Sequence, residues 1–248
     1  MTGRPDLPGI TTGQEIAMIT LHDRMARGRT ETGLIEARHT FSFGRFHDPA
    51  RMGFRSLRVL NEDRIVPGAG FPAHPHAEME ILTYVLEGAV EHRDSLGNTA
   101  VIRAGDLQRM TAGTGITHAE TNASATEPLH LLQIWIHPDR RGLAPGYEQA
   151  SFEGEAVRGL RLVAGPEGGD GVLKIHQDAR VHLARLAAGE TVEHPIAPGR
   201  AAFAQLTRGV VLLDGHEMRE GDGAAVEDES GLRITAETEA EILLFDLA

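Results

Sequence analysis

The apolar residues of this chain come in runs no longer than a strand, and no stretch of them recurs at helical spacing. Ser56–Glu62, Glu80–Glu87, Ala89–Asp94, Asn98–Ile102, Leu107–Thr111, His118–Asn122 and Leu129–Ile136 are rich in Val, Ile, Leu and Thr, and are bounded by Gly, Asp and Asn. They read as strands, because branched side chains pack on a pleated surface and the bounding residues accept turn geometry. DSLGN (Asp94–Asn98) reads as a hairpin turn in which Gly97 takes positive φ. Residues 1–14, with three Gly and two Pro, read as a loose tail. Residues 139–171 carry the Pro and Gly of a connection, with one short strand at Gly159–Val163. Strands resume at Lys174–His176, Val181–Leu186, Ala201–Thr207, Val210–Asp214, Leu232–Thr235 and Ala240–Asp246. The pattern predicts an all-β sandwich or barrel.

An internal repeat divides it in two. Gly88 of LEGAVEHRD matches Gly209 of TRGVVLLDG, and 20 residues upstream Gly68 matches Gly189. Downstream, Arg103-Ala-Gly-Asp106 matches Arg219-Glu-Gly-Asp222, and Gly115 matches Gly231. Two stacked antiparallel jelly-roll units are expected, at residues 15–138 and 172–248.

Composition excludes several functions. With no Cys, disulfides, thiolate metal sites, iron–sulfur clusters and a Cys nucleophile are ruled out, and any metal must be held by imidazole and carboxylate. A formal net charge of −12 argues against direct nucleic-acid binding, and Arg24, Arg27 and Arg29 are only a short basic run. No apolar run approaches the roughly 20 residues of a membrane span, and no signal-peptide pattern opens the chain. A soluble, cytoplasmic protein is expected.

The chemistry concentrates in GAGFPAHPHAEMEILTYVLEG (Gly68–Gly88). His74 and His76 are two apart, so on a strand both rings face one point. His118 and Glu120 in GTGITHAETN repeat the spacing. One His-X-His pair means little in a chain with 13 His; two such pairs, each behind a Gly-rich turn, point to a metal. His92, His130, His137, His176, His182 and His216 read as surface or core residues with ordinary hydrogen bonds. Carried onto the second copy, His74, His76, Glu80, His118 and Glu120 become Pro195, Ala197, Ala201, Ile234 and Ala236, so the ligands belong to the first copy alone. His194 lies one position off in this alignment. Glu80 and Glu120 both qualify as the fourth ligand, one as ligand and the other orienting an imidazole; Glu78 shares the parity but lies nearer the turn. Such a donor set suits Fe, Mn, Co, Ni, Cu or Zn, and leaves coordination positions open.

The stretch His74–Glu120, with HTFSF (His39–Phe43), MGFRSLRVLNED (Met52–Asp63), LHLLQIWIHP (Leu129–Pro138), LKIHQD (Leu173–Asp178) and the C-terminal LLFDL, resembles the pirin family of the cupin superfamily, and within it the bacterial pirin-like quercetin 2,3-dioxygenases. The resemblance covers about residues 18–248. It implies a bicupin fold with one divalent ion in the N-terminal domain, most often Fe(II), on His74, His76, His118 and Glu120. It thereby favours Glu120 over Glu80. It also implies oxygenolytic cleavage of a flavonol such as quercetin with O₂, and on that reading Glu120, released from the metal or through its free oxygen, is expected as general base. Phe41, Phe43 and Phe54 are candidates for the aromatic pocket on character alone. The competing expectation is a metal-binding protein that partners another protein, as the family's nuclear members do; a third is an isomerase or hydrolase on the same fold.

Overall fold

The computed structural model describes residues 18–154 and 159–248; the tail read over residues 1–14 lies outside the described residues. The first half holds β1 (Met18–His22), β2 (Gly28–Glu31), β3 (Ile35–His39), β4 (Leu57–Ile65), β5 (Gly70–His76), β6 (Glu80–Glu87), β7 (Ala89–Asp94), β8 (Thr99–Arg103), β9 (Asp106–Thr111), β10 (Ile116–Asn122), β11 (Leu129–Ile136) and β12 (Gly146–Ser151). The second holds β13 (Arg161–Gly165), β14 (Leu173–Lys174), β15 (Ala179–Leu186), β16 (Thr191–Pro195), β17 (Ala201–Arg208), β18 (Val210–Leu213), β19 (His216–Arg219), β20 (Gly223–Glu227), β21 (Gly231–Ala236) and β22 (Ala240–Leu247). Among the described residues the only helical element is a 3-10 turn at Arg24–Ala26, and no helix is long and apolar enough to cross a membrane.

The strands form four sheets, two of seven strands and two of four. One large sheet runs β12-β9-β6-β11-β4-β3-β2 and faces the small sheet β5-β10-β7-β8. The other runs β1-β20-β17-β22-β15-β13-β14 and faces β16-β21-β18-β19. This is the expected pair of antiparallel cupin sandwiches. The sheets divide the strands between β12 and β13, with one exception: β1 pairs with β20, from Met18↔Glu227 to His22↔Gly223. The two large sheets pack back to back. Leu57, Leu82, Leu107 and Ile134 from one meet Val181, Phe203, Leu243 and Phe245 from the other in a single buried cluster.

The repeat glycines have a shared cause. Gly88 (φ 79°) and Gly209 (φ 87°) each turn one strand into the next, where an added Cβ would strike the carbonyl of Pro128 or Glu239. Gly97 takes the positive φ that its hairpin requires, 92°.

Several strands carry no apolar run and so escape a reading by periodicity. β2, β12 and β19 are polar and largely solvent-facing. β20 is buried but built on Gly and Ala, which have weak strand preference. In the stretch 139–171, where one strand is expected, both β12 and β13 form, and β12 extends the first large sheet from Gly146↔Thr111 to Ser151↔Asp106.

The interiors of the two sandwiches differ. In the second, one continuous apolar cluster fills the space between the sheets. In the first, the apolar residues split into two groups, one around Val85, Val90 and Leu131, the other around Ile81, Met110 and Ile116. Between them lies a polar band. Thr83 pairs with Gln133 on one side and Gln108 on the other, where the second copy pairs Ala204 with Leu244 and Ala224.

Candidate metal centre

β5 is the edge of its small sheet, and there Pro72 and Pro75 cost little because no outer strand needs their missing donors. Along it His74 and His76 are half-buried while Ala73 before them and Pro75 between them are exposed, so both rings turn to the inner face. Neighbouring β10 pairs His118 with His74 and Ile116 with His76. A register shift follows between His118 and Glu120, the latter opposite Phe71. The extra residue bends β5 beside the site.

The three imidazoles converge. Ring centroids are 4.7 Å apart for His74–His76, 4.6 Å for His74–His118 and 4.9 Å for His76–His118. His74 Nε2 faces His118 Nε2 at 3.2 Å. The other nitrogen of His74, Nδ1, lies 2.8 Å from the Pro72 carbonyl. A carbonyl only accepts, so Nδ1 carries the proton of a neutral His74 and Nε2 carries a lone pair. Two nitrogens each about 2.1 Å from one ion, at angles of about 90–110°, lie about 3.0–3.4 Å apart. The observed spacing falls in that range. Desolvation, then His74, pushes His76 down to about 4; desolvation, then His74 and His76, pushes His118 down to about 3. Both rings are therefore neutral donors at physiological pH.

Glu120 lies deeper in the polar band. Its carboxylate accepts from Gln133 Nε2 at 2.6 Å and from Thr83 Oγ1 at 3.2 Å, and Gln108 Nε2 donates to that threonine at 3.3 Å. Burial pushes it up to about 7 against these hydrogen bonds. Its nearest metal-type grouping is with His92 and His118, all three buried with donor atoms within 4.8 Å of one another; His74, His76 and His118 form the other such group. His118 is common to both, and Glu120 flanks the histidine cluster from inside.

Glu80 is elsewhere, against the sequence expectation that it faces inward. Glu78 has φ 55°, which breaks the strand between β5 and β6 and resets the alternation. Ile81 and Thr83 then point into the sandwich, while Glu80, like Leu82, faces the second sandwich. There it accepts from Thr111 Oγ1 at 2.9 Å and from His176 Nδ1 at 2.9 Å. Glu78 itself accepts from the Gly142 backbone at 3.1 Å.

The second copy is also corrected by register. Ile116 pairs with His76 as Leu232 pairs with His194. His194, not Ala197, therefore stands where His76 does; the gapless count from Gly189 slips by three residues. His194 hydrogen-bonds Asp246 at 3.0 Å, whose other oxygen is held by Arg200, while Ile234 and Ala236 replace His118 and Glu120 with apolar groups.

Residues 22–136 match the family profile described as Pirin, and residues 162–247 match that of the quercetinase C-terminal cupin domain. Over 230 residues the chain is 48% identical to the quercetin 2,3-dioxygenase of Escherichia coli K12, spanning 93% of this chain and 99% of that one. The chain belongs to the pirin family. The bacterial pirin YhhW of Escherichia coli, solved in complex with nickel(II), superposes with a TM-score of 0.89 at 48% identity, over 93% of this chain and 99% of that one. YhaK, also from Escherichia coli, superposes with a TM-score of 0.70 at 30% identity, over 89% and 93%.

Two depressions flank the histidines of this pirin. An open one of 410 Å³ is lined by His76, Gly115 and Thr117. A second, of 340 Å³, is lined by Phe43, Phe46, Met52, Met79, Trp135 and Arg58, among others. Trp135 joins them: its ring packs edge-on against His76 at 5.0 Å and against Phe43 at 5.5 Å. Of the three phenylalanines singled out in the sequence, Phe43 lines this groove, Phe41 is buried in the core between the large sheets, and Phe54 packs against that core.

Residues that periodicity did not flag complete the site. His92 is fully buried, its ring 5.3 Å from that of His118. Thr83, Gln108 and Gln133 surround Glu120. The signal was present as parity: Val90, His92 and Asp94 alternate inward along β7, and His92 pairs opposite Glu120.

Proposed function

We propose that this protein is a metal-dependent dioxygenase that cleaves a flavonol such as quercetin with O₂. The observation that carries the reading is the convergence of three imidazoles, with Nε2 of His74 and Nε2 of His118 at 3.2 Å, beside a buried carboxyl. His74, His76 and His118 group closely enough for one divalent transition ion, and Glu120, which groups with His118 from the inner side, would be its fourth ligand, with iron the expected ion. When bound, the ion would supply Lewis acidity toward a substrate hydroxyl and a place for O₂ beside it.

The side chains define the rest. Glu120, pushed up to about 7, is poised to take a proton from a phenolic hydroxyl near neutral pH. Gln133 and Thr83 hold its two oxygens and limit its rotation. The groove of Phe43, Phe46, Met52, Met79 and Trp135 offers aromatic and thioether faces to flat rings, with Arg58 at its edge to meet an anionic oxygen. Buried Ile81, Met110 and Ile116 keep water from the inner side.

The test is direct. The purified protein is loaded in turn with Fe(II), Mn(II), Co(II), Ni(II) and Cu(II), and quercetin absorbance is followed in air. Turnover that requires metal and vanishes in His76→Ala is the expected result. Full metal occupancy with no turnover for any ion would sink the dioxygenase reading and leave a metal-binding interaction protein.

A further inference from the structure

We infer that Asp94 and His92 form a positioning relay that fixes the tautomer of His118 and so aims its Nε2 lone pair at the ion. The inference rests on the reading of His74, His76 and His118 as metal ligands, and adds two residues to that site.

The contacts dictate the protons one by one. His92 Nε2 lies 3.0 Å from Asp94 Oδ2, and both side chains are fully buried. A carboxylate only accepts, so His92 Nε2 donates. A neutral His92 then has its lone pair on Nδ1. That nitrogen faces His118 Nδ1 at 3.4 Å, so His118 Nδ1 is the donor. The remaining nitrogen of His118, Nε2, is left with a lone pair. It points at His74 Nε2, whose own lone pair is set by the Pro72 carbonyl. Two lone pairs thus face each other at 3.2 Å, an arrangement that repels unless a cation lies between them. The two ligands are held by different means: His74 by one backbone carbonyl, His118 through a second imidazole to a carboxylate.

The rest of the pocket holds the relay in place. The Tyr147 ring packs on His92 at 4.8 Å with an interplanar angle of 34°. Asp94 Oδ1 accepts from the backbone N–H groups of Leu96 and Asn98 in the hairpin turn, at 2.9 and 3.0 Å. Those two donors bear on the test. In Asp94→Asn they keep an oxygen at the Oδ1 position, so the amide NH₂ takes the Oδ2 position and faces His92, while the Asn98 side chain, whose Nδ2 donates to Oδ2 at 2.9 Å, turns its amide oxygen toward the new NH₂. His92 must then accept at Nε2 and donate from Nδ1, which drives the proton of His118 onto Nε2.

The experiment has two readouts on the full chain. Long-range proton–nitrogen correlation spectra of the metal-free, 15N-labelled protein report the tautomer of His118, and Ni(II) titration reports affinity. In the wild type His118 is expected as the Nδ1–H form. In Asp94→Asn it shifts to Nε2–H, and Ni(II) affinity falls by about 10- to 100-fold, the usual cost of losing a partner behind a ligating imidazole. His92→Gln, whose amide oxygen still accepts from His118, retains more affinity than His92→Phe. An unchanged His118 tautomer together with unchanged affinity in Asp94→Asn overturns the relay. A wild type that fails to bind Ni(II) instead overturns the reading of the metal site, and the His118 tautomer then decides the relay alone.

Discussion

At the scale of single residues, burial sets protonation around the site, with consequences in solution. Desolvation holds Glu120 at about 7, so below that pH its carboxyl carries a proton that a bound cation must displace. His76 and His118, near 4 and 3, have none to give. Ni(II) binding should therefore release more protons at pH 6 than at pH 8.5, as measured by calorimetry in buffers of different ionisation enthalpy. Desolvation, with Glu120 and Glu62 nearby, pushes Asp63 from 3.8 up to about 8. A carboxyl whose folded pKa is raised favours the fold while protonated. Its contribution is whole below about 4 and is lost as pH climbs through about 8. Asp63→Asn should thus gain on the wild type as pH rises from 5 to 8, by on the order of a few kcal/mol in urea unfolding. The clustered histidines were legible in the sequence because i and i+2 share a strand face. Glu80 misled because the alternation was carried through Glu78, whose positive φ resets it. His92 and Asp94 were legible only by the parity of a strand whose partner across the sheet was unknown.

At the scale of elements, the first sandwich gives up part of its apolar interior to hold the site. The contrast with the second is position for position: Thr83, Gln108 and Gln133 against Ala204, Ala224 and Leu244. A variant carrying Thr83→Ala, Gln108→Ala, Gln133→Leu and Glu120→Ala copies the second interior into the first. It should lose metal affinity while its metal-free form unfolds at higher urea, by about 1–4 kcal/mol, since a buried polar network replaced whole by apolar groups is often stabilising. The turn glycines act in the opposite sense. Gly88→Ala puts a Cβ against the Pro128 carbonyl at φ 79° and should cost about 1–3 kcal/mol, read as a lower denaturation midpoint. The glycine anchors revealed the two-fold repeat because these steric demands recur in each copy. They could not fix the register of β16, which starts two residues after Gly189 as β5 starts two after Gly68 but lacks the extra residue of β5; only the pairing Leu232↔His194 does so.

At the scale of the whole molecule, the two sandwiches share a core. Leu82, Tyr84 and Phe41 of the first pack in one cluster with Phe203, Leu243 and Phe245 of the second. Arg185 reaches across to the Tyr84 hydroxyl at 3.1 Å and His176 to Glu80. Each large sheet buries apolar side chains against the other. Calorimetry of the metal-free protein should therefore give one cooperative transition, and a chain ending at Ser151 should bind the dye ANS and show no sharp transition. Two separated transitions would mean that the shared cluster couples the halves weakly. The all-β class was legible from run length and turn spacing, whereas this shared face was not, because an inward-facing Leu reads the same whichever neighbour covers it.

The pairing of β1 with β20 bears on how such a chain is made. Arg24, just past β1, donates its backbone N–H to Asp222, 198 positions later in the sequence. On a ribosome the first strand leaves the exit tunnel long before its partner is translated. It must wait as a nascent segment without a sheet to join, and it docks only once β20 has emerged. The seam between β1 and β20 thus closes across 198 positions, and a translation arrest anywhere before β20 leaves it open.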